Sequence, residues 1–183
     1  MHKDIIKIIS DTLIYYNVLD YPIDPFLLAM RLGIKICPYS KLSNRGFELS
    51  KKYSKDGFSC VVNNDEWHIY YNDKAPNQFR MRYTLFHEIG HFVLGHIKTN
   101  SFEEEIEANN FSRNILVPNV LVYYWLGENV SVKLIQEKFL TSMEVAKYAY
   151  ESYKKWLYKF KRGEIEDYEL ELVYRVNLNK LVA

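Results

Sequence analysis

One stretch decides the fold and the chemistry of this sequence: Tyr83-Thr84-Leu85-Phe86-His87-Glu88-Ile89-Gly90-His91-Phe92-Val93-Leu94. On a helix, His87 and His91 are one turn apart on the same face, so that their imidazoles can hold one Zn²⁺ ion. Glu88 lies beside them, where its carboxylate reaches a metal-bound water rather than the metal. The surrounding apolar residues predict a buried helix, and Gly90 lets a neighbouring element pass close. At this composition the HExxH pattern arises by chance with a probability of about 1%.

A catalytic zinc site also needs a third protein ligand and one open coordination position. His96 follows the motif, but the metzincin spacing would require Gly at 94 and His at 97, where this chain has Leu94 and Ile97. His96 is therefore interpreted as a surface histidine or as a neighbour of a ligand, and the third ligand is sought further along the chain.

The acidic segment that follows supplies the third-ligand candidates. Ser101 and Glu104 have the spacing of a capping box, which predicts that a helix begins directly after Ser101. Glu105 and Asn109 are one turn apart on this helix, which suits a carboxylate ligand and a group that orients a ligand histidine. Glu104 and Glu107 stay open as alternatives to Glu105, because acidic residues are also favoured at a helix N-terminus for their charge alone.

Helical periodicity dominates the rest of the chain, with a few strand patterns. The runs 34–37, 57–62 and 66–71 predict a small three-stranded antiparallel sheet, the last two forming a hairpin around residues 63–65. The run Glu66–Tyr71 is interpreted as an edge strand that pairs with an extended substrate, on which His68 or Tyr70 could stabilise an oxyanion. Residues 40–56 are predicted as a loop, and Tyr168–Tyr174 alternates like a strand.

Length and composition exclude several classes of protein. The 183 residues fit one domain, predicted over 1–160, with a C-terminal tail at 161–183. Lys and Arg total 24 and Asp and Glu total 23, a balance that argues against direct nucleic-acid binding through bulk charge. There is no apolar run of the ~20 residues that a membrane span needs, and no secretion signal is evident at the N-terminus. The expected compartment is the cytoplasm, where Cys37 and Cys60 would stay reduced.

Several motifs together resemble the ImmA/IrrE family of zinc metallopeptidases. The resemblance rests on the segment 87–91, on Glu105-Ile106-Glu107-Ala108-Asn109-Asn110-Phe111 and on Leu116-Val117-Pro118, and it extends over roughly residues 5–157. In the wider gluzincin pattern the glutamate three residues before the alanine is the ligand, which selects Glu105. The residue after that alanine is often Asp in such zincins, whereas this chain has Asn109.

The resemblance implies an α+β fold, a mostly helical zincin-like metallopeptidase domain with a small sheet. It implies one Zn²⁺ per chain on His87, His91 and Glu105, with Glu88 as the catalytic base and acid. The implied activity is that of an endopeptidase that cleaves a protein, specifically a helix-turn-helix repressor of a phage, mobile element or stress operon encoded nearby. The alternative hypothesis is a zinc-containing binding module that sequesters such a regulator without hydrolysis.

Overall fold

A computed structural model of the chain describes residues 4–63, 66–96 and 101–182. Among the described helices, none has the length and apolar composition that crossing a membrane requires. In chain order the elements are α1 (Ile5–Tyr15), α2 (Pro25–Arg31), β1 (Lys35–Pro38), α3 (Asn44–Tyr53), β2 (Gly57–Val62), β3 (Glu66–Tyr71), α4 (Gln78–Val93), α5 (Phe102–Leu116), α6 (Asn119–Leu126), α7 (Val132–Phe139), α8 (Met143–Phe160) and α9 (Asp167–Val182). The fold is the mostly helical α+β class that the sequence predicts.

Backbone packing divides the chain into two compact units. The sheet unit is Pro25–Ser112, which contains α2, the three strands, α3, α4 and the first part of α5. The helical unit is the remaining described chain, from the N-terminal side through Asp24 and again from Arg113 onward. The prediction of a single domain over 1–160 stays a prediction.

The sheet is mixed, and the prediction of purely antiparallel pairing is wrong for one strand pair. β2 and β3 form the expected antiparallel hairpin, in which Ser59 lies opposite Ile69. β1 pairs with β3 in parallel, with Ile36 beside Ile69. A parallel pair needs a long connection, and here it runs through α3 and β2 before the chain returns to β3. Residues 64 and 65 of the predicted turn lie outside the described residues.

The strand order β1-β3-β2 corrects the position of the predicted edge strand. β3 (Glu66–Tyr71) is the central strand, hydrogen-bonded on both sides, so that its backbone is not open to an extended substrate. Its side chains alternate between buried and half-buried positions, and Ile69 is fully buried. That alternation identifies a strand with one face in the core, but it does not distinguish a central strand from an edge strand.

Helix α4 packs closely on the sheet and on α5. Trp67 on β3 contacts Phe92 on α4, with ring centroids 5.5 Å apart. A Cβ atom added at Gly90 would lie 3.0 Å from Cδ1 and 3.2 Å from Cβ of Phe111, which is fully buried on α5. Gly90 is therefore the point of close approach that the sequence predicts, and it sets the distance between the two helices.

Residues 40–56 are not the predicted loop, because Asn44–Tyr53 forms α3. The Ser43 hydroxyl caps this helix by accepting a hydrogen bond from the Gly46 N–H at 3.2 Å. The helix is hard to recognise in the sequence because its large apolar residues do not face a core: Leu49 is 58% exposed and Tyr53 70% exposed.

The C-terminal tail is helix α9, and the prediction of a strand over Tyr168–Tyr174 is wrong. The buried apolar side chains of α9 are Leu172, Val173 and Val176, which lie on one helical face, and α9 packs against α1. The alternation of Leu170, Leu172 and Tyr174 has period two, but in the structure Leu170 and Tyr174 are exposed on the other face of the helix. The tail is thus part of the helical unit.

Candidate metal centre

The HExxH segment lies in the last two turns of α4, and the start of this helix is set well before the motif. The Asn77 side chain accepts a hydrogen bond from the Arg80 N–H at 2.7 Å and caps the helix. The Arg80 guanidinium then binds both carboxylate oxygens of Asp56 at 2.6 and 2.7 Å, just before β2. These contacts attach the first turn of α4 to the segment that leads into β2. The motif further along α4 packs on β2 itself.

The structure brings together the three predicted ligands, His87, His91 and Glu105. The two imidazole Nε2 atoms are 3.1 Å apart. Glu105 Oε2 is 3.3 Å from His87 Nε2, and Glu105 Oε1 is 3.4 Å from His91 Nε2. A tetrahedral ion with ligand bonds of about 2.1 Å separates its ligand atoms by about 3.4 Å. The spacing and the His₂Glu donor chemistry therefore both fit a zinc ion, and the group could hold a metal.

The three acidic alternatives for the third ligand have different neighbours. Glu104 makes the capping box: its backbone N–H donates to Ser101 Oγ at 3.2 Å, and its carboxylate accepts from the Ser101 N–H at 3.4 Å. Glu107 Oε2 is 2.9 Å from His96 Nε2. Glu105 is the acidic residue that joins the two histidines of the motif. These positions favour Glu105 as the ligand.

Glu88 is buried next to the cluster and is held by the sheet. The Ser59 hydroxyl on β2 donates a hydrogen bond to Glu88 Oε2 at 2.7 Å. Burial raises the pKa of Glu88 above its ordinary value, while the Ser59 hydrogen bond and the His87 ring oppose that rise. A carboxyl group whose pKa is raised is suited to exchanging protons near neutral pH. No motif in the sequence identifies Ser59 as the partner of Glu88.

The two histidines of the motif differ in the surroundings of their Nδ1 atoms. Burial, with the neighbouring His87 ring, lowers the pKa of His91 to about 4, so that this imidazole is neutral at pH 7, as a metal ligand must be. His91 Nδ1 lies 3.1 Å from His96 Nδ1. His87 Nδ1 is buried, and the described residues offer it no hydrogen-bond partner. Among the described residues, a polar side chain thus contacts the Nδ1 atom of His91 but not that of His87.

His96 takes the second of its two predicted positions, as a neighbour of a ligand, whereas Asn109 contacts a tyrosine. His96 is not a surface residue: its side chain is 3% exposed and contacts His91. Asn109 accepts a hydrogen bond from the Tyr83 hydroxyl at 2.8 Å. Its role in orienting a ligand histidine stays a prediction, and Tyr83, one turn before His87, is a contact that the sequence did not indicate.

The two predicted oxyanion donors lie on the central strand and contact other groups. His68 Nε2 is 3.2 Å from Glu66 Oε2, and the Tyr70 hydroxyl is 3.5 Å from His68 Nδ1. The Lys35 ammonium binds the same Glu66 carboxylate at 2.7 Å. The oxyanion role of His68 or Tyr70 stays a prediction.

The site lies on a buried helix that carries two histidines one turn apart with a glutamate between them, and the next helix adds a second glutamate. This arrangement defines the metallopeptidase-like class of α+β proteins. A family model of the IrrE N-terminal-like domain, Peptidase_M78, matches residues 29–151. The chain belongs to this family, as the sequence resemblance implied. No curated protein matches the chain.

Proposed function

We propose that this protein is a zinc-dependent endopeptidase that hydrolyses a peptide bond in a protein substrate. The observation that carries the proposal is the convergence of His87, His91 and Glu105, with ligand atoms 3.1 to 3.4 Å apart, beside the buried Glu88. Three protein ligands leave one position of a tetrahedral ion for water or substrate, which is the arrangement of catalytic rather than structural zinc sites.

The proposed mechanism assigns the proton transfers to Glu88. A bound zinc ion would supply Lewis-acid chemistry, lowering the pKa of a water molecule and polarising the scissile carbonyl. The Ser59 hydroxyl holds Oε2 of Glu88, and the Glu88 carboxylate would accept the proton from the attacking water and later deliver it to the leaving amine. His87, His91 and Glu105 would hold the metal, and each of them is half-buried.

The substrate strand is proposed to pair with β2 rather than with β3. β2 lies at an edge of the described sheet, and its Ser59 reaches the catalytic carboxylate. An extended peptide added at this edge would gain backbone hydrogen bonds while its scissile bond lies near Glu88.

The proposed substrate is a helix-turn-helix repressor encoded near this protein, and the proposed location is the cytoplasm. Membership of a peptidase family implies a protein substrate. The balance of 24 basic and 23 acidic residues supports action on a protein rather than on DNA. The unpaired Cys37 and Cys60 are compatible with a reducing compartment.

The first experiment combines cleavage and metal content. Zinc-loaded wild-type protein is incubated with the repressor from its genomic neighbourhood, and fragments are identified by mass spectrometry. Glu88→Gln should retain one zinc per chain and lose cleavage by at least the 10²-fold that general acid–base catalysis contributes. Glu103→Gln is the matched control, because Glu103 is exposed on the first turn of α5 and should leave both properties unchanged.

The same variants distinguish the endopeptidase from a sequestering module. If Glu88→Gln relieves repression in a reporter assay as well as the wild type does, the protein acts by binding. If the purified wild type takes up no zinc at neutral pH, the metal centre itself is wrong.

A further inference from the structure

We infer that Glu107 and His96 form a hydrogen-bonded chain that positions His91 for metal binding and transmits negative charge to it. This inference rests on the proposed zinc centre and adds two positioning residues to it. The chain has two contacts: Glu107 Oε2 lies 2.9 Å from His96 Nε2, and His96 Nδ1 lies 3.1 Å from His91 Nδ1.

The direction of each hydrogen bond follows from the Glu107 end of the chain. An ionised carboxylate only accepts, so the proton of a neutral His96 lies on Nε2 and is donated to Glu107. His96 Nδ1 then carries a lone pair and must accept from His91, which places the His91 proton on Nδ1. The lone pair of His91 is thereby left on Nε2.

That lone pair is directed at the predicted metal position. His91 Nε2 is the atom that lies 3.1 Å from His87 Nε2 and 3.4 Å from Glu105 Oε1. The opposite tautomer of His91 would put a proton where the metal must bind. The two contacts behind His91 thus select the binding-competent tautomer before any metal arrives, and no assumption about the metal is needed to reach that result.

Burial makes this chain of contacts rigid and electrostatically effective. The His96 side chain is 3% exposed and that of Glu107 26% exposed, so water competes weakly for their hydrogen bonds. Glu105 and Glu107 are two residues apart near the start of α5. This helix therefore supplies both the ligand Glu105 and the carboxylate that supports the ligand His91 through His96. His87 lacks such support among the described residues, because its buried Nδ1 has no partner there.

Zinc affinity, measured by competition with a chromophoric chelator, tests the inference without any peptidase assay. Groups that orient a ligand histidine typically contribute 10–100-fold to metal affinity. Glu107→Ala should therefore raise the zinc Kd by about that factor. Glu107→Gln keeps an acceptor oxygen but removes the charge, so its Kd should lie between those of the wild type and Glu107→Ala. Glu103→Ala on the same helix is the control and should bind zinc as the wild type does.

Histidine tautomers provide the second readout, from long-range ¹H–¹⁵N correlation spectra of the zinc-loaded protein. The expected spectrum has the His96 proton on Nε2 and the His91 proton on Nδ1. A His96 proton on Nδ1, or a Glu107→Ala Kd equal to that of the control, overturns the inference while the zinc centre stands. If the wild type binds no zinc, the proposed function and this inference fall together.

Discussion

Both units bury polar residues, but the neighbours of these residues differ. The examples are Glu88 and His96 in the sheet unit, and Ser10 and Glu169 in the helical unit. Glu88 and His96 adjoin His87 and His91, so that their polar groups converge on one small volume. Ser10 Oγ has no hydrogen-bond partner among the described residues, and Glu169 Oε1 accepts a hydrogen bond from the Trp156 indole N–H at 2.8 Å.

The difference indicates where in each unit the free-energy cost of burying polar groups lies. Burying polar groups costs free energy unless they are paired, and a cluster of them is retained where it performs a task. In the sheet unit, Glu88 and His96 adjoin a group that could hold a metal, whereas the described part of the helical unit has no such group. Substitutions in the two units should therefore affect metal binding and stability in different proportions.

The largest expected effect is the loss of a ligand in the sheet unit. His87→Ala and Glu105→Ala should each weaken zinc binding by more than about 100-fold, beyond the loss from removing a group that only orients a ligand. The measurement is zinc stoichiometry by elemental analysis together with a chelator-competition Kd. Retention of tight binding by Glu105→Ala would move the third ligand to Glu104 or Glu107.

An intermediate effect is expected at the contact between α4 and α5. Gly90→Ala places a methyl group 3.0 Å from the Phe111 ring, and overpacking of this kind costs about 1–3 kcal/mol of unfolding free energy. Because Glu105 lies on α5, the same displacement should also weaken zinc binding. Urea denaturation and the zinc Kd are measured on the same variant. A loss of stability with an unchanged Kd would show that α4 and α5 move apart without displacing the Glu105 carboxylate.

A smaller effect, on stability alone, is expected in the helical unit. Burial raises the pKa of Glu169 in the folded protein, with the nearby Glu166 and Asp4 adding to the rise against the Trp156 hydrogen bond. A raised folded-state pKa means that wild-type stability is lost as pH rises from the unfolded value of about 4.3 through the folded value. Glu169→Gln does not titrate and keeps an oxygen for Trp156, so it should unfold at higher urea than the wild type at pH 7.

The pH dependence is the check on that prediction. The advantage of Glu169→Gln should shrink as the pH falls toward 4, and zinc affinity should equal that of the wild type throughout. An advantage that grows on acidification would reverse the assigned sign, and a change in zinc Kd would contradict the expectation that Glu169 affects stability alone.

Much of the fold was predictable because its signals are local. The Asp24-Pro25 start of α2, the capping box of α5 and the histidine spacing of α4 each depend on a few neighbouring residues, and the structure has helices at all three positions. The hairpin of β2 and β3 has the predicted strand bounds. Such features are set by hydrogen bonds and periodicity within one or two turns.

What failed depends on contacts between distant residues. The central position of β3 follows from its pairing with β1 some 30 residues earlier, which no local pattern encodes. The strand prediction over Tyr168–Tyr174 is wrong because the buried face of the helix Asp167–Val182 is set by its packing against α1, at the other end of the chain. In the candidate site, Ser59 and the His96–Glu107 contact join separate elements, and neither has a sequence signature of its own.

The placement of Trp67 also gives the protein an optical probe. The chain has 3 Trp, of which Trp67 lies in the sheet unit while Trp125 and Trp156 lie in the helical unit. Replacing the latter two by phenylalanine leaves a single indole fluorophore, 9% exposed and in ring contact with Phe92, the residue that follows His91. The fluorescence emission of that variant would report changes next to the metal centre without an added label. Metal uptake and local unfolding of the sheet unit could then be followed by stopped-flow fluorescence.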